Sequence, residues 1–223
     1  MNRRVIVLAT GAVALAGFAG AMALLDPAGA TRGAPAGTGA PNDAMVRPHA
    51  PVLGRADAPV TLVEFLDPSC EACRAFHPLV KGILARYPDE VRLVVRYAPF
   101  HQGSDEAVRI LEAARRQALF ETVLDRLFAH QPRWASHGAP NLSLAWQAAA
   151  EAGLDLDRAR RDGAAPTVDA VLRQDVADLQ TLGVRQTPTF FVNGKPLPSF
   201  GARQLAELVD AEVAASRRGR TGS

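Results

Sequence analysis

The chain has 223 residues, 48% of them hydrophobic, which is enough for one sizeable folded domain and excludes wholesale disorder. The formal net charge of +2 equals the contribution of Arg3 and Arg4 alone, so the body is close to neutral. Arg115–Arg116 and Arg158–Arg160–Arg161 are interleaved with Glu and Asp, and no basic stripe of the kind that holds nucleic acid is present.

In chain order, Arg3 and Arg4 precede an apolar run from Val5 to Leu25. A charged start followed by an apolar stretch is the pattern of an export signal, and the run approaches the ~20 residues that span a bilayer. Ala28-Gly29-Ala30 offers a cleavage site. Cleavage and retention as an anchor both follow from this pattern, and either exports the rest of the chain, to the periplasm or another extracytoplasmic space. Residues 26–58 are rich in Pro, Gly and Ala and read as a flexible linker.

The folded domain is expected over 59–216, followed by a disordered tail at 217–223. Val60–Leu66 is a β-branched and apolar run short enough for a buried strand, punctuated by Asp67-Pro68-Ser69. Cys70 to Tyr87 has helical spacing and stops at Pro88, and Val91–Tyr97 reads as a second strand. Strand, helix and strand at these lengths make a βαβ unit with parallel strands. Ser104–Ala129 predicts two helices, with others at Leu142–Ala152 and Thr167–Leu182 before the stop signals Gly153 and Gly183. Thr189–Val192 returns to strand, Asn193-Gly194 signals a hairpin into Lys195–Pro198, and Ala202–Ala215 closes as a helix. The order β-α-β, helices at about 103–183, then β-β-α predicts an α/β fold: a thioredoxin-like core with a helical insertion.

Cys70 and Cys73 are the only cysteines, with two residues between them. A disulfide across so short a loop constrains little of the unfolded chain, and a structural zinc site needs about four ligands with no second Cys pair to supply them. Redox chemistry is the strongest use that remains. Placed between a strand and a helix, Cys70 sits where free backbone N–H groups and the helix dipole favour a thiolate, the attacking species. Cys70 is therefore the expected nucleophile and Cys73 the resolving thiol. Glu71 beside it opposes the thiolate by like charge, which predicts a less acidic Cys70 than a basic neighbour would give.

Three further positions carry expectations. Pro188 enters a strand, where it marks a strand start or edge; in a thioredoxin-like core it would be cis, face the cysteine pair and leave the Thr187 backbone free for an extended substrate. Glu64 is a carboxylate in an apolar strand, either a proton relay to Cys73 or a side chain reaching solvent at a sheet edge. His77 lies one helical turn after Cys73, so copper held by Cys70, Cys73 and His77 is an alternative use of the pair. His101, Trp134 and Trp146 read as ordinary surface, interface or core residues, with Phe100-His101-Gln102 bordering the active face only weakly.

Val63-Glu64-Phe65 before Cys70-x-x-Cys73, the segment Gln117–Trp134 with Leu127-Phe128-Ala129, Gly153-Leu154-Asp155, and above all the run from Leu182 through Thr187-Pro188-Thr189 to Asn193-Gly194 carry a resemblance. The sequence resembles the DsbA-like thiol:disulfide oxidoreductases of the thioredoxin superfamily over about Pro59 to Val213. The resemblance implies active-site cysteines at Cys70 and Cys73, a cis Pro188 and a relay acid at Glu64. Glu71-Ala72 replaces the Pro-His of strongly oxidising members, Gln186 replaces a common Gly, and Thr187 before the proline matches isomerase and reductase members. The expected protein is an exported oxidoreductase that acts on cysteine-bearing protein substrates and leans to reduction or isomerisation. It is recycled by a membrane redox partner, is monomeric, and needs no cofactor beyond its redox-active disulfide. A copper-handling protein using the same cysteines is the alternative, and a binding module without turnover a third reading.

Overall fold

The computed structural model describes residues 41–221. The expected signal or anchor at 1–25 and the first part of the expected linker, 26–40, lie outside the described residues.

The fold begins earlier than the composition suggested. Pro41–Met45 forms a short helix, α1, and Val52–Leu53 a strand, β1. Ala44, Met45 and Ala50 are buried, the last two against Val63, Phe65 and Val94. Arg47 meets Asp178 at 2.6 Å and His49 meets Asp175 at 2.7 Å. These partners lie more than a hundred residues away, so a local reading of residues 41–58 as linker missed them.

Val60–Leu66 (β2) and Val91–Tyr97 (β3) pair in parallel along their full length, joined by helix α2 at Glu71–Arg86. Helices α3 (Ser104–Arg115), α4 (Phe120–Trp134), α5 (Leu142–Glu151), α6 (Leu156–Gly163) and α7 (Pro166–Thr181) follow. The chain then forms β4 (Thr189–Val192), β5 (Lys195–Pro196) and α8 (Ala202–Thr221). The sheet order is β1-β3-β2-β4-β5, with β4 antiparallel to β2. Helix α6 was not anticipated: only Ala159 and Gly163 of it are buried, too few apolar positions to mark a helical face, and Asp155 caps it by accepting the Arg158 N–H at 3.0 Å. Helix α8 runs past the expected boundary to Thr221, with Arg217 paired to Glu90 at 2.6 Å, so residues 217–221 are helical, and 222–223 of the expected tail lie outside the described residues.

Strand alternation sorts the two faces of the sheet. Val60, Leu62 and Leu66 point into the larger core with α2, α4 and α8, whereas Val63 and Phe65 join the second face with Leu179 and Val184. Glu64 shares the parity of Leu62 and Leu66 and so lies on the α2 face. Arg96 shares the parity of Val94, and on the opposite face it donates to Asp175 at 2.7 Å and Asp178 at 2.6 Å of α7, fully buried. It also donates to the carbonyls of Ala44 and Met45, which fastens the N-terminal segment over the sheet.

Candidate active site at the start of helix α2

Strand β2 ends at Leu66, and its loop delivers Cys70 to the N-cap of α2 with extended backbone (φ −77°, ψ 123°). Asp67 organises that loop. Its carbonyl accepts the Cys70 N–H at 3.1 Å, and its buried carboxylate accepts from five donors. These are the Ser69 N–H, the Ser104 hydroxyl, the Phe100 and His101 N–H groups, and His101 Nδ1 at 2.7 Å. The loop is held from above by Gln131 of α4, whose amide nitrogen donates to the Pro68 carbonyl at 2.9 Å and the Cys70 carbonyl at 3.0 Å.

Cys70 and Cys73 are unbonded thiols, both buried, Cys73 completely. The Cys70 thiol donates to the Thr187 carbonyl at 3.3 Å, and the Thr187–Pro188 bond is cis. The structure therefore brings Cys70, Cys73, Thr187 and Pro188 together. A hydrogen bond from Cys73, followed by contributions from Thr187 and the backbone at Cys73 and Ala72, outweighs partial burial and lowers the Cys70 pKa to about 5. Burial above all, then the Cys70 bond and the charges of Glu64 and Cys70, pushes the Cys73 thiol far up, despite the Asp67 N–H at 3.5 Å from its sulfur. One thiol is thus ready to ionise and its neighbour resists.

Glu64 lies in the centre of the sheet, between Val95 of β3 and Phe190 of β4, so the reading in which it reaches solvent at an edge does not hold. It is buried with Oε1 unpartnered, and burial, with a smaller effect of the Cys70 charge, raises its pKa to about 8. Glu71 is exposed and engaged by His137 Nε2 at 2.7 Å, and Cys70 falls to about 5 despite this neighbouring carboxylate. His77 faces away from the pair: it meets Asp125 at 2.6 Å and packs on Phe128, and among the described residues no group of three or more His, Cys, Asp or Glu is placed to hold a metal.

The family model described as Thioredoxin matches residues 47–211. This chain belongs to the thioredoxin family. Among solved structures, a thioredoxin-like oxidoreductase from Silicibacter pomeroyi DSS-3 is 34% identical with a TM-score of 0.66, over 79% of this chain and 97% of that one. BdbD from Bacillus subtilis is 25% identical with a TM-score of 0.66, over 74% and 94%. The alpha-DsbA1 of Wolbachia pipientis, at 17% identity and a TM-score of 0.71 over 80% and 98%, speaks to the fold alone. The thioredoxin-like α/β fold and the DsbA-like resemblance both stand.

Curated relatives of this thioredoxin-family chain include the Na(+)/H(+) antiporter NhaA of Herminiimonas arsenicoxydans, 37% identical over 169 residues, or 75% of this chain and 26% of the relative. The chain spans about a quarter of the length of the curated relatives it matches. Sequence reasoning missed Gln131 and His137 and treated Asp67 as mere punctuation. An Asp just after a buried strand was the one available signal; nothing local marked Gln131, whose role depends on where α4 packs.

Proposed function

We propose that this protein is an exported thiol:disulfide oxidoreductase that exchanges disulfides with cysteine-bearing proteins, acting as a reductase or isomerase rather than a strong oxidase. The carrying observation is the split pair, Cys70 lowered to about 5 over a buried Cys73 pushed far up. In the reducing direction the Cys70 thiolate attacks a substrate disulfide, forming a mixed disulfide and releasing one substrate thiolate. Cys73 then loses its proton and attacks the Cys70 sulfur, which closes the Cys70–Cys73 disulfide and releases the second thiolate. Two electrons pass from the dithiol to the substrate, and an external dithiol partner at the membrane returns them.

Glu64 is the proton relay for Cys73 in this scheme: with a pKa of about 8 it is largely protonated near neutral pH and gives a proton to Cys73 as the disulfide opens, and its ionised fraction takes that proton back as the disulfide closes. It shares the α2 face, and its charge acts on Cys73. The Thr187 backbone beside cis Pro188 receives an extended substrate segment, and the exposed rings of Phe100 and Phe200 suit apolar, unfolded chains. A Cys70 pKa of about 5 lies between the ~3.5 of a strong oxidant and the ~7 of thioredoxin, which supports an intermediate poise. Export rests on Arg3-Arg4 and the run Val5–Leu25. The reading needs no cofactor beyond the cysteine pair and assumes a monomer.

The test is the reduction potential of the pair in a glutathione series, with Cys73→Ser used to trap the mixed disulfide. The expected potential falls between ~−120 and ~−270 mV, and the variant should accumulate a dithiothreitol-sensitive adduct. A potential at the oxidising end would overturn the reductase or isomerase direction. Absence of a reversible couple would overturn the redox reading altogether.

A further inference from the structure

Between the cysteines this chain carries Glu71-Ala72, with no cation, yet the structure gathers imidazoles at the rim of the site from two other loops. His101, in the loop between β3 and α3, is fixed by its ring Nδ1 on Asp67 at 2.7 Å and by its own N–H on the same carboxylate at 3.0 Å. Gly103, with φ +80°, provides the left-handed turn that brings this loop back into α3, and a Cβ there would press on Pro140 and Leu142 at 3.0–3.3 Å. His137, from the loop after α4, lies with its ring centroid 5.7 Å from that of His101 and takes up Glu71 at 2.7 Å.

Resting on the oxidoreductase reading above, we propose that His101, held by Asp67, supplies the positive charge that stabilises the Cys70 thiolate, in place of a basic residue between the cysteines, while His137 engages Glu71 by a hydrogen bond. Three observations support it. Asp67 is bound at once to the Cys70 N–H, through its carbonyl, and to His101, through its carboxylate, so the loop that carries the thiol and the loop that carries the imidazole share one anchor. The charges that act on His101 are those of Asp67, Cys70 and Glu71, all anionic when ionised, and the His137 ring lies 5.7 Å from it. Partial burial works against the His101 charge, but the Asp67 hydrogen bond and charge, then Cys70 and Glu71, raise its pKa above the ordinary imidazole value. Coupling between two charges is mutual, so a protonated His101 favours the Cys70 thiolate in addition to the leading Cys73 hydrogen bond and the Thr187 and backbone contributions. His101 acts through its charge and is not itself a catalytic residue; Asp67 is the positioning residue that holds it.

The experiment compares the full chain with His101→Gln, His101→Lys and His137→Gln, following thiolate absorbance against pH and the reduction potential at pH 7, with thermal unfolding as a check on folding. In His101→Gln the Cys70 midpoint should rise by about one pH unit. Its equilibrium with glutathione should move about tenfold towards the disulfide, roughly 30 mV more negative. His101→Lys should keep the low midpoint, and His137→Gln should give a smaller rise because Glu71 is then unpaired. A normal couple with no shift in His101→Gln would overturn the proposal and leave the oxidoreductase reading standing. Equal rises in the Gln and Lys variants would also overturn it, since the ring would then matter as a loop anchor and not as a charge. A wild-type protein without a reversible couple would defeat the oxidoreductase reading itself.

Discussion

Replacing Glu64 by Gln tests the buried carboxyl directly. A carboxyl with an ordinary pKa of 4.5, raised to about 8 on burial, binds its proton more tightly in the folded protein than in the unfolded chain. Its favourable contribution is complete below pH ~4.5 and is lost as pH rises through ~8. The penalty it places on folding is then about 0.8 kcal/mol at pH 5 and about 3 kcal/mol at pH 7. The amide in Glu64→Gln has no proton to lose, so this variant should gain on the wild type by roughly 2.5 kcal/mol between pH 5 and pH 7, whatever fixed offset the amide introduces. Urea unfolding at pH 5, 6, 7 and 8 reads this difference, with the Cys70–Cys73 disulfide formed so that no thiol titrates across the range. Closing the disulfide also removes the smaller contribution of the Cys70 charge and leaves burial as the cause. Parallel stability profiles for the two proteins would refute the reasoning, because they would show a Glu64 carboxylate that is ionised and satisfied at neutral pH.

Two other perturbations probe the supports of the site. Gln131→Ala removes both hydrogen bonds that the Gln131 amide nitrogen makes, to the Pro68 and Cys70 carbonyls, and should cost about 1–3 kcal/mol in urea unfolding, with slower thiol exchange by the loosened loop. Arg96→Leu leaves Asp175 and Asp178 buried without their central cation and should cost about 3 kcal/mol at pH 7. The hydrogen bonds from Arg47 and Arg96 hold Asp178 below its ordinary pKa against burial, so that stability is present above pH ~4 and is lost as pH falls. The gap between wild type and Arg96→Leu should narrow in acid, and a pH-independent gap would contradict the ion-network account.

Local pattern was enough to determine the central architecture. The β-branched runs at 60–66 and 91–97, the Cys-x-x-Cys opening a helix and the Asn193-Gly194 turn before a short partner strand each carry their own signal within a few residues, because strand period, helix capping and turn chemistry are local physics. The same locality explains the placement of Cys70 at the head of α2 and the notice drawn to Glu64 and Pro188. Tertiary structure decided the rest. Residues 41–58 look like linker until Arg96, Asp175 and Asp178 appear beside them. Glu64 could have reached an edge until β4 covered that side of β2. Glu71 looked like a brake on the Cys70 thiolate until the loop after α4 placed His137 on it. In each case the deciding partner lies tens of residues or more away in the chain, and the energy of a buried charge depends on which groups the fold brings within a few ångströms of it.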